Sequence, residues 1–304
     1  MSQNLKFFFI AFFLSLPLWW GINFFGEFTE EFFFNRFYQP NQLLSAQVLP
    51  SSFFNPKEEP PVIEAKSALS VRIDKSGKQK IIFEKNPDEI LPIASLTKLM
   101  TALIVLENYE PFEKVMITQA ATAQPEDIGQ LKIGETLTIE NLLYILIIES
   151  SNDAAYALSD LIGEKAFVDL MNIEAKFLGL ENTHFVDPGG WGKGNYSTAR
   201  DLAKFSQYLL ERKPKIFEIS RIQEFDLYDS DGIFHHRLLN TNELLKEYSQ
   251  IVGGKTGYTS RAKGCFLLII KDPGDNSLII NVILGSDERF LEMKKLINWL
   301  QPSF

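Results

Sequence analysis

Three short patterns bring together residue types that can activate a serine: Ser95-Leu96-Thr97-Lys98, Ser150-Ser151-Asn152 and Lys255-Thr256-Gly257. Serine is a weak nucleophile until a base takes its proton. Residues i and i+3 share one face of a helix, so Lys98 can lie beside the Ser95 hydroxyl. A lysine serves as base only when desolvation or a nearby positive charge depresses its pKa, and Lys255 is a candidate for that second charge. A helix N-terminus at Ser95 would also turn backbone N–H groups toward a developing oxyanion. In the second pattern, the Ser150 hydroxyl can relay a proton and the Asn152 amide can bind a substrate amide. In the third, Gly253-Gly254-Lys255-Thr256-Gly257 suits an edge strand that a substrate backbone approaches closely, with Lys255 and Thr256 able to grip a carboxylate.

Each pattern alone has a plain structural reading. Ser95 could be a helix cap with a solvated lysine one turn on, Ser150 to Asn152 a capped loop, and Lys255 an exposed lysine on a bulged strand. The chain repeats all three patterns elsewhere, at Ser260 to Lys263, Lys75 to Gly77 and Ser2 to Asn4. Context separates the copies. Ser95 opens an apolar helix, whereas Ser260 follows a glycine-rich strand end and Ser76 falls in a hairpin turn.

The elements that must position these residues can be read from periodicity. Ala68–Ile73 and Gln79–Glu84 read as a hairpin around Asp74–Lys78. Apolar residues at helical spacing predict helices over Ser95–Leu106, Thr138–Ile147, Asp153–Ile162, Gly163–Leu178, Thr198–Glu211 and Glu288–Leu300. Asp187 to Asn195, with one proline and four glycines, reads as a loop. Gly264–Lys271 and Ser277–Leu284 are β-rich runs around the turn residues Asp272 to Asp275. Strands at both ends enclosing a helical middle predict an α+β domain whose first and last strands share one antiparallel sheet.

Composition bounds the rest. The chain has 304 residues, 45% hydrophobic and 23% charged, as expected of a globular protein. A net charge of −9 argues against nucleic acid as a partner. A single cysteine, Cys265, excludes an internal disulfide, and His184, His235 and His236 show no metal-ligand spacing, so no metal is expected. Twelve of the 26 phenylalanines fall in the first 40 residues. Phe7 to Phe25 is uncharged and long enough as a helix to span roughly 28 Å, about one bilayer core. Lys6 precedes it and Glu27, Glu30 and Glu31 follow, which predicts a cytoplasmic N-terminus and an exported remainder. A cleaved signal peptide is the rival reading. The expected organisation is an anchor and juxtamembrane segment over 1–39, a proline-bearing linker over 40–61 and one catalytic domain over 62–304.

The three patterns, in this order, resemble the penicillin-recognising serine enzymes, and specifically the low-molecular-mass penicillin-binding proteins that act as D-Ala-D-Ala carboxypeptidases. The likeness runs from about residue 65 to 300. It includes Ile93 to Thr101, Glu149 to Ala155, Asn182 to Phe185 with Asp187-Pro188, Tyr196 to Leu202, Asn240 to Asn242 and Gly254 to Thr259. The resemblance implies a five-stranded antiparallel sheet flanked by helices, with an inserted helical lobe. It also implies roles. Ser95 would be the acylated nucleophile and Lys98 its base, with Ser150 and Asn152 lining the cleft. Lys255 and Thr256, followed by Gly257, would bind the terminal carboxylate of a peptidoglycan stem peptide. The backbone N–H groups of Ser95 and Tyr258 would form the oxyanion hole, and Arg289 falls near where relatives place a further carboxylate-binding arginine. β-Lactams would be covalent inhibitors, and no cofactor is implied.

Many relatives carry a C-terminal β-domain and an amphipathic membrane helix. Here Phe290, Met293, Ile297 and Leu300 recur at helical spacing and read as core. A β-lactamase is the nearest alternative. Class A enzymes of that kind use a glutamate followed four residues later by asparagine, and no glutamate between Asn152 and Lys255 has that neighbour. A non-catalytic wall-sensing domain and a DD-endopeptidase acting on cross-links are the other readings.

Overall fold

The computed structural model describes residues 59–125, 129–272 and 275–300. The expected anchor at 7–25 and all but the last residues of the linker lie outside the described residues. Among the described residues, no helix is long and apolar enough to cross a membrane.

Five strands make the main sheet: β1 (Ser67–Ile73), β2 (Gln79–Lys85), β3 (Ile251–Thr259), β4 (Lys263–Lys271) and β5 (Leu278–Ser286). Their spatial order is β2-β1-β5-β4-β3, antiparallel throughout. The first and last strands therefore share one antiparallel sheet, as the sequence pattern predicts, and they lie side by side in it. β3 is an edge strand, so one side of the Lys255-Thr256-Gly257 backbone is left without a strand neighbour in the sheet.

Side chains alternate across the sheet, and the alternation sorts them into two apolar layers. Leu267, Ile269, Ile280, Val282 and Leu284 join the larger core under the helical lobe. Phe266, Leu268, Ile270, Ile279 and Ile283 join the smaller one on the opposite face. Because both faces are covered, β4 and β5 are near-continuous apolar runs, which is why they were legible without an alternating pattern.

The helices are α1 (Lys98–Asn108), α2 (Ile139–Tyr144), α3 (Asn152–Ser159), α4 (Glu164–Phe177), α5 (Ala199–Arg212), α6 (Lys215–Ser220) and α7 (Arg289–Leu300). α7 buries Met293, Leu296, Ile297 and Leu300 in the smaller core. The periodicity reading of that helix holds, with Phe290 partly buried at its margin.

Three local departures from the sequence reading matter for function. Ser95 does not cap an α-helix: Ala94–Thr97 is a 3₁₀ turn that runs directly into α1. The helix expected to continue to Ile147 instead changes pitch after Tyr144 and ends as a π turn, Ile145–Glu149. A hairpin of Glu224–Tyr228 and Phe234–Leu239, unread from sequence, projects beside that π turn. Its strands are short and partly exposed, so they carry neither a long apolar run nor a clean alternation.

Candidate active site

The nucleophile turn is built by backbone that only its surroundings could hold. Ala94 adopts a positive φ of 48°, and Ser150 on the facing element a φ of 66°. Non-glycine residues rarely occupy this region, and it persists where packing over-determines it. At Ala94 the packing is visible. Gly190 lies so close that a Cβ there would sit 2.0 Å from the Ala94 carbonyl oxygen. The loop that begins at Asp187 is thus seated on the turn that presents Ser95, and Gly190 is what lets it approach.

Within the 3₁₀ turn, residues i and i+3 eclipse, which brings Lys98 over Ser95. Lys98 is completely buried and its Nζ lies 3.0 Å from Ser95 Oγ, 2.6 Å from Asn152 Oδ1 and 2.8 Å from the Gly189 carbonyl oxygen. The Asn152 amide is oriented from its other end, where Nδ2 donates 2.6 Å to the Pro125 carbonyl. Two of these contacts, to Asn152 Oδ1 and the Gly189 carbonyl, are to acceptors and fix two N–H bonds. The third position faces the serine hydroxyl, where a neutral amine would present its lone pair. That arrangement can take a proton from Ser95. The solvated-lysine reading fails on burial.

Asp187 holds the loop in place. Its carboxylate accepts from Gly189 N at 2.9 Å, Gly190 N at 2.5 Å, Gly192 N at 2.7 Å and Asn195 Nδ2 at 2.5 Å. Thr101 Oγ1 donates 2.5 Å to the Pro188 carbonyl from the buried side of α1. Sequence reading marked Asp187 to Asn195 as a loop, with Asp187-Pro188 inside the family resemblance, and gave Asp187 no role. The single acid ahead of a run of glycines was the available signal, since a buried carboxylate can gather several backbone N–H groups.

Ser150 and Ser151 divide two tasks. Ser151 Oγ caps α3, accepting 3.1 Å from Ala154 N. Ser150, at the end of the π turn, turns its Oγ to Lys255 Nζ at 2.7 Å. The capped-loop reading holds for Ser151, and Ser150 instead turns toward the Lys255 strand.

Lys255 is 2% exposed and also donates 3.0 Å to the Thr256 carbonyl. Among the described residues no carboxylate stands within ion-pair distance of it. Burial, the nearby Lys98 and Arg289 push its pKa well below the ordinary lysine range. Thr256 Oγ1 is 2.7 Å from Thr241 Oγ1. A Cβ on Gly257 would sit 2.9 Å from Ser95 N, so that glycine allows β3 to run against the nucleophile's own N–H. Tyr258 is exposed. The Arg289 guanidinium lies 6.0 Å from the Tyr258 ring centre, its Nε buried without a partner among the described residues, and desolvation lowers its pKa. Ser95, Lys98, Asn152, Ser150, Lys255, Thr256 and Gly257 form one connected cluster, with Tyr258 and Arg289 at its margin.

A serine beside a buried amine, a second buried cation and an open strand edge define a serine acyl-transfer centre on an α+β scaffold. The chain belongs to the D-alanyl-D-alanine carboxypeptidase family, peptidase family S11, whose model matches residues 55–288. It is 34% identical over 247 residues to the D-alanyl-D-alanine carboxypeptidase DacF of Bacillus subtilis, covering 78% of this chain and 62% of that relative. It is 32% identical to a D-alanyl-D-alanine endopeptidase of Escherichia coli, covering 79% of this chain and 78% of the other. The crystal structure of the Streptomyces K15 DD-transpeptidase superposes with a TM-score of 0.72 at 30% identity, over 80% of this chain and 99% of that one.

Proposed function

We propose that the protein is a serine D-Ala-D-Ala carboxypeptidase that removes the terminal D-alanine of peptidoglycan stem peptides. The observation that carries this reading is the contact of a wholly buried Lys98 with Ser95 Oγ, with the other two Nζ positions taken by fixed acceptors. Ser95 Oγ attacks the carbonyl carbon of the last peptide bond while its proton passes to Lys98 Nζ. The N–H groups of Ser95 and Tyr258 receive the developing oxyanion. The departing D-alanine nitrogen takes that proton from Lys98, relayed through Ser150, which returns Lys98 to the free amine. Water then attacks the Ser95 ester, its proton passing to Lys98 and on to Ser95 Oγ as the ester bond breaks, and the shortened peptide leaves as a carboxylate. Lys255 and Thr256 bind the terminal carboxylate of the substrate, supplying the charge partner that Lys255 lacks among the described residues. Arg289 adds positive potential to that end of the cleft, and β-lactams acylate Ser95 as substrate mimics.

The uncharged stretch at 7–25 supports the further reading that the protein is tethered to the cytoplasmic membrane, with residues 62–304 outside it as the catalytic domain and 40–61 as linker. Signal cleavage is the alternative, and N-terminal sequencing of membrane and soluble fractions separates the two.

Labelling with fluorescent penicillin tests the chemistry. Wild type forms a covalent adduct on Ser95 and releases D-alanine from a pentapeptide, and Ser95→Ala does neither. An unlabelled wild type would mean a non-catalytic domain, and rapid nitrocefin turnover a β-lactamase. The likeness to an endopeptidase favours a second reading, hydrolysis of D-Ala–diamino acid cross-links through the same acyl-enzyme. Product analysis on cross-linked muropeptides distinguishes it.

A further inference from the structure

Two histidines that the sequence left without a role stand in a buried chain of four titratable side chains. Glu135 Oε2 is 3.0 Å from His235 Nε2, His235 Nδ1 is 2.5 Å from His236 Nδ1, and His236 Nε2 is 3.0 Å from Glu149 Oε2. The four side chains are 18%, 5%, 5% and 12% exposed in that order, so the array is largely shielded from solvent. Neighbours on a strand ordinarily point to opposite faces. Here a bulge intervenes: His236 pairs with Leu227 and Phe234 with Tyr228, so His235 is the extra residue. A bulge re-aims a side chain, and this one brings both rings together.

The contacts fix a proton count. Each ionised glutamate is an acceptor only, so each Nε2 must carry a proton. A bond between the two Nδ1 atoms needs one proton between them. With both glutamates as acceptors, the array would take three protons on four nitrogens. A fourth proton sets two N–H groups against each other, and loss of the central one leaves two lone pairs facing at 2.5 Å. Asp229 adds a negative charge near His235, with Lys114 also near Asp229, and Asp226 is paired outward with Arg237.

Glu149, the last residue of the array, is covalently joined to Ser150, whose strained backbone aims its hydroxyl at Lys255. The strand holding the histidines leads into Thr241, which donates from N to the Ile148 carbonyl at 3.2 Å and meets Thr256 through its hydroxyl. The hairpin thus grips both the Ser150 turn and the Lys255 strand.

We infer that His235 and His236 are positioning residues: the singly shared proton between them clamps Glu149 and so sets Ser150 for acylation, giving the reaction a pH dependence that originates about a residue away from the cleft. The inference rests on the acyl-transfer reading above. Its test is the rate of Ser95 acylation by fluorescent penicillin from about pH 5 to about pH 9, the range in which histidine titrates. Three variants are compared with wild type. His236→Gln retains a donor for Glu149 and an acceptor for His235 but cannot titrate, so it should keep most of the mid-range rate and lose the histidine-dependent limbs. His236→Leu should lose about tenfold in rate, the scale expected of a misplaced proton-relay group, with melting temperature measured alongside. Glu149→Gln should flatten the profile as His236→Gln does. Profiles of all variants that superimpose on wild type after scaling would overturn the inference, as would a loss in His236→Leu accounted for by unfolded protein alone. A second readout is independent of acylation. In ¹⁵N-histidine-labelled wild type, the shared proton should give one strongly downfield resonance coupled to both rings and absent from His236→Gln. Its absence overturns the array, whereas failure of wild type to acylate overturns the functional reading instead.

Discussion

The two walls of the cleft each bury a lysine, and they treat it differently. On the helical wall, Lys98 Nζ is held by the acceptors of Asn152 and Gly189 and faces the Ser95 hydroxyl. On the strand wall, Lys255 has a serine hydroxyl and a neighbouring carbonyl, and no carboxylate among the described residues. One environment suits a group that exchanges a proton with a fixed neighbour. The other suits a cation whose partner arrives with the substrate. Burial alone does not assign a role to a lysine; the chemistry of its neighbours does.

The largest expected effect breaks the helical wall. Lys98→Met keeps most of the volume and removes the base, and acylation of Ser95 should fall by about 10³-fold or more, within the range assigned to general-base catalysis and positioning. Stopped-flow labelling with a β-lactam measures it. A loss below tenfold would show that another group takes the serine proton. Gly190→Ala attacks the same wall through its backbone. A methyl group 2.0 Å from the Ala94 carbonyl, on a residue with φ of 95°, must displace either the loop or the nucleophile turn. Stability should drop by about 2–4 kcal/mol in denaturant unfolding, as for other strained overpacked sites.

On the strand wall the effect should be smaller and should appear in binding. Lys255→Met should raise KM for a D-Ala-D-Ala peptide more than it lowers kcat, by about 10- to 100-fold, the scale of a lost charge-assisted contact. The sign of the pH dependence follows from the depressed pKa. As pH rises through a value well below the ordinary lysine range, Lys255 in the free enzyme loses its charge and KM should climb. Lys255→Arg should move that limb to higher pH, because guanidinium stays protonated. An unshifted limb would assign the titration to another group.

How much of this was legible in the sequence follows the same division. β4 and β5 declare themselves as apolar runs, and α1 by its stripe, because local pattern and final burial agree there. Ser95, Lys98, Asn152 and Lys255 were identifiable because three patterns, each repeated elsewhere in the chain, occur in the order and context that resemble the penicillin-recognising enzymes. The contacts that hold them were not. Gly189 and Gly190 act through a carbonyl and a missing Cβ, and Asp187 through backbone N–H groups of its own loop. Backbone partners leave no side-chain pattern to read. The π turn at Ile145–Glu149 is equally silent, since its residues carry the same apolar run as the helix before it. His235 and His236 looked unpartnered because Glu135 and Glu149 lie about 90 to 100 residues away in sequence.

The smallest effects lie away from both walls and test whether the cleft's unusual electrostatics are local. Glu174 on α4 is raised to about 7 by burial and by the nearby Glu107, partly offset by Lys213. Its pKa is higher in the folded than in the unfolded protein. Between about pH 4.5 and pH 7 the folded state therefore holds more protons, and stability must fall as pH rises through that window. Glu174→Gln removes the titrating group and should flatten that part of the stability curve, with wild type and variant converging at the acid end. The group is partly exposed, so solvent screening keeps the difference small. Urea midpoints at several pH values measure it, and acylation of Ser95 measured in parallel should be unchanged. If the variant altered the acylation profile as well, charge would be transmitted from α4 to the cleft. The contrast between the two lysines would then reflect the field of the whole helical lobe rather than their immediate neighbours.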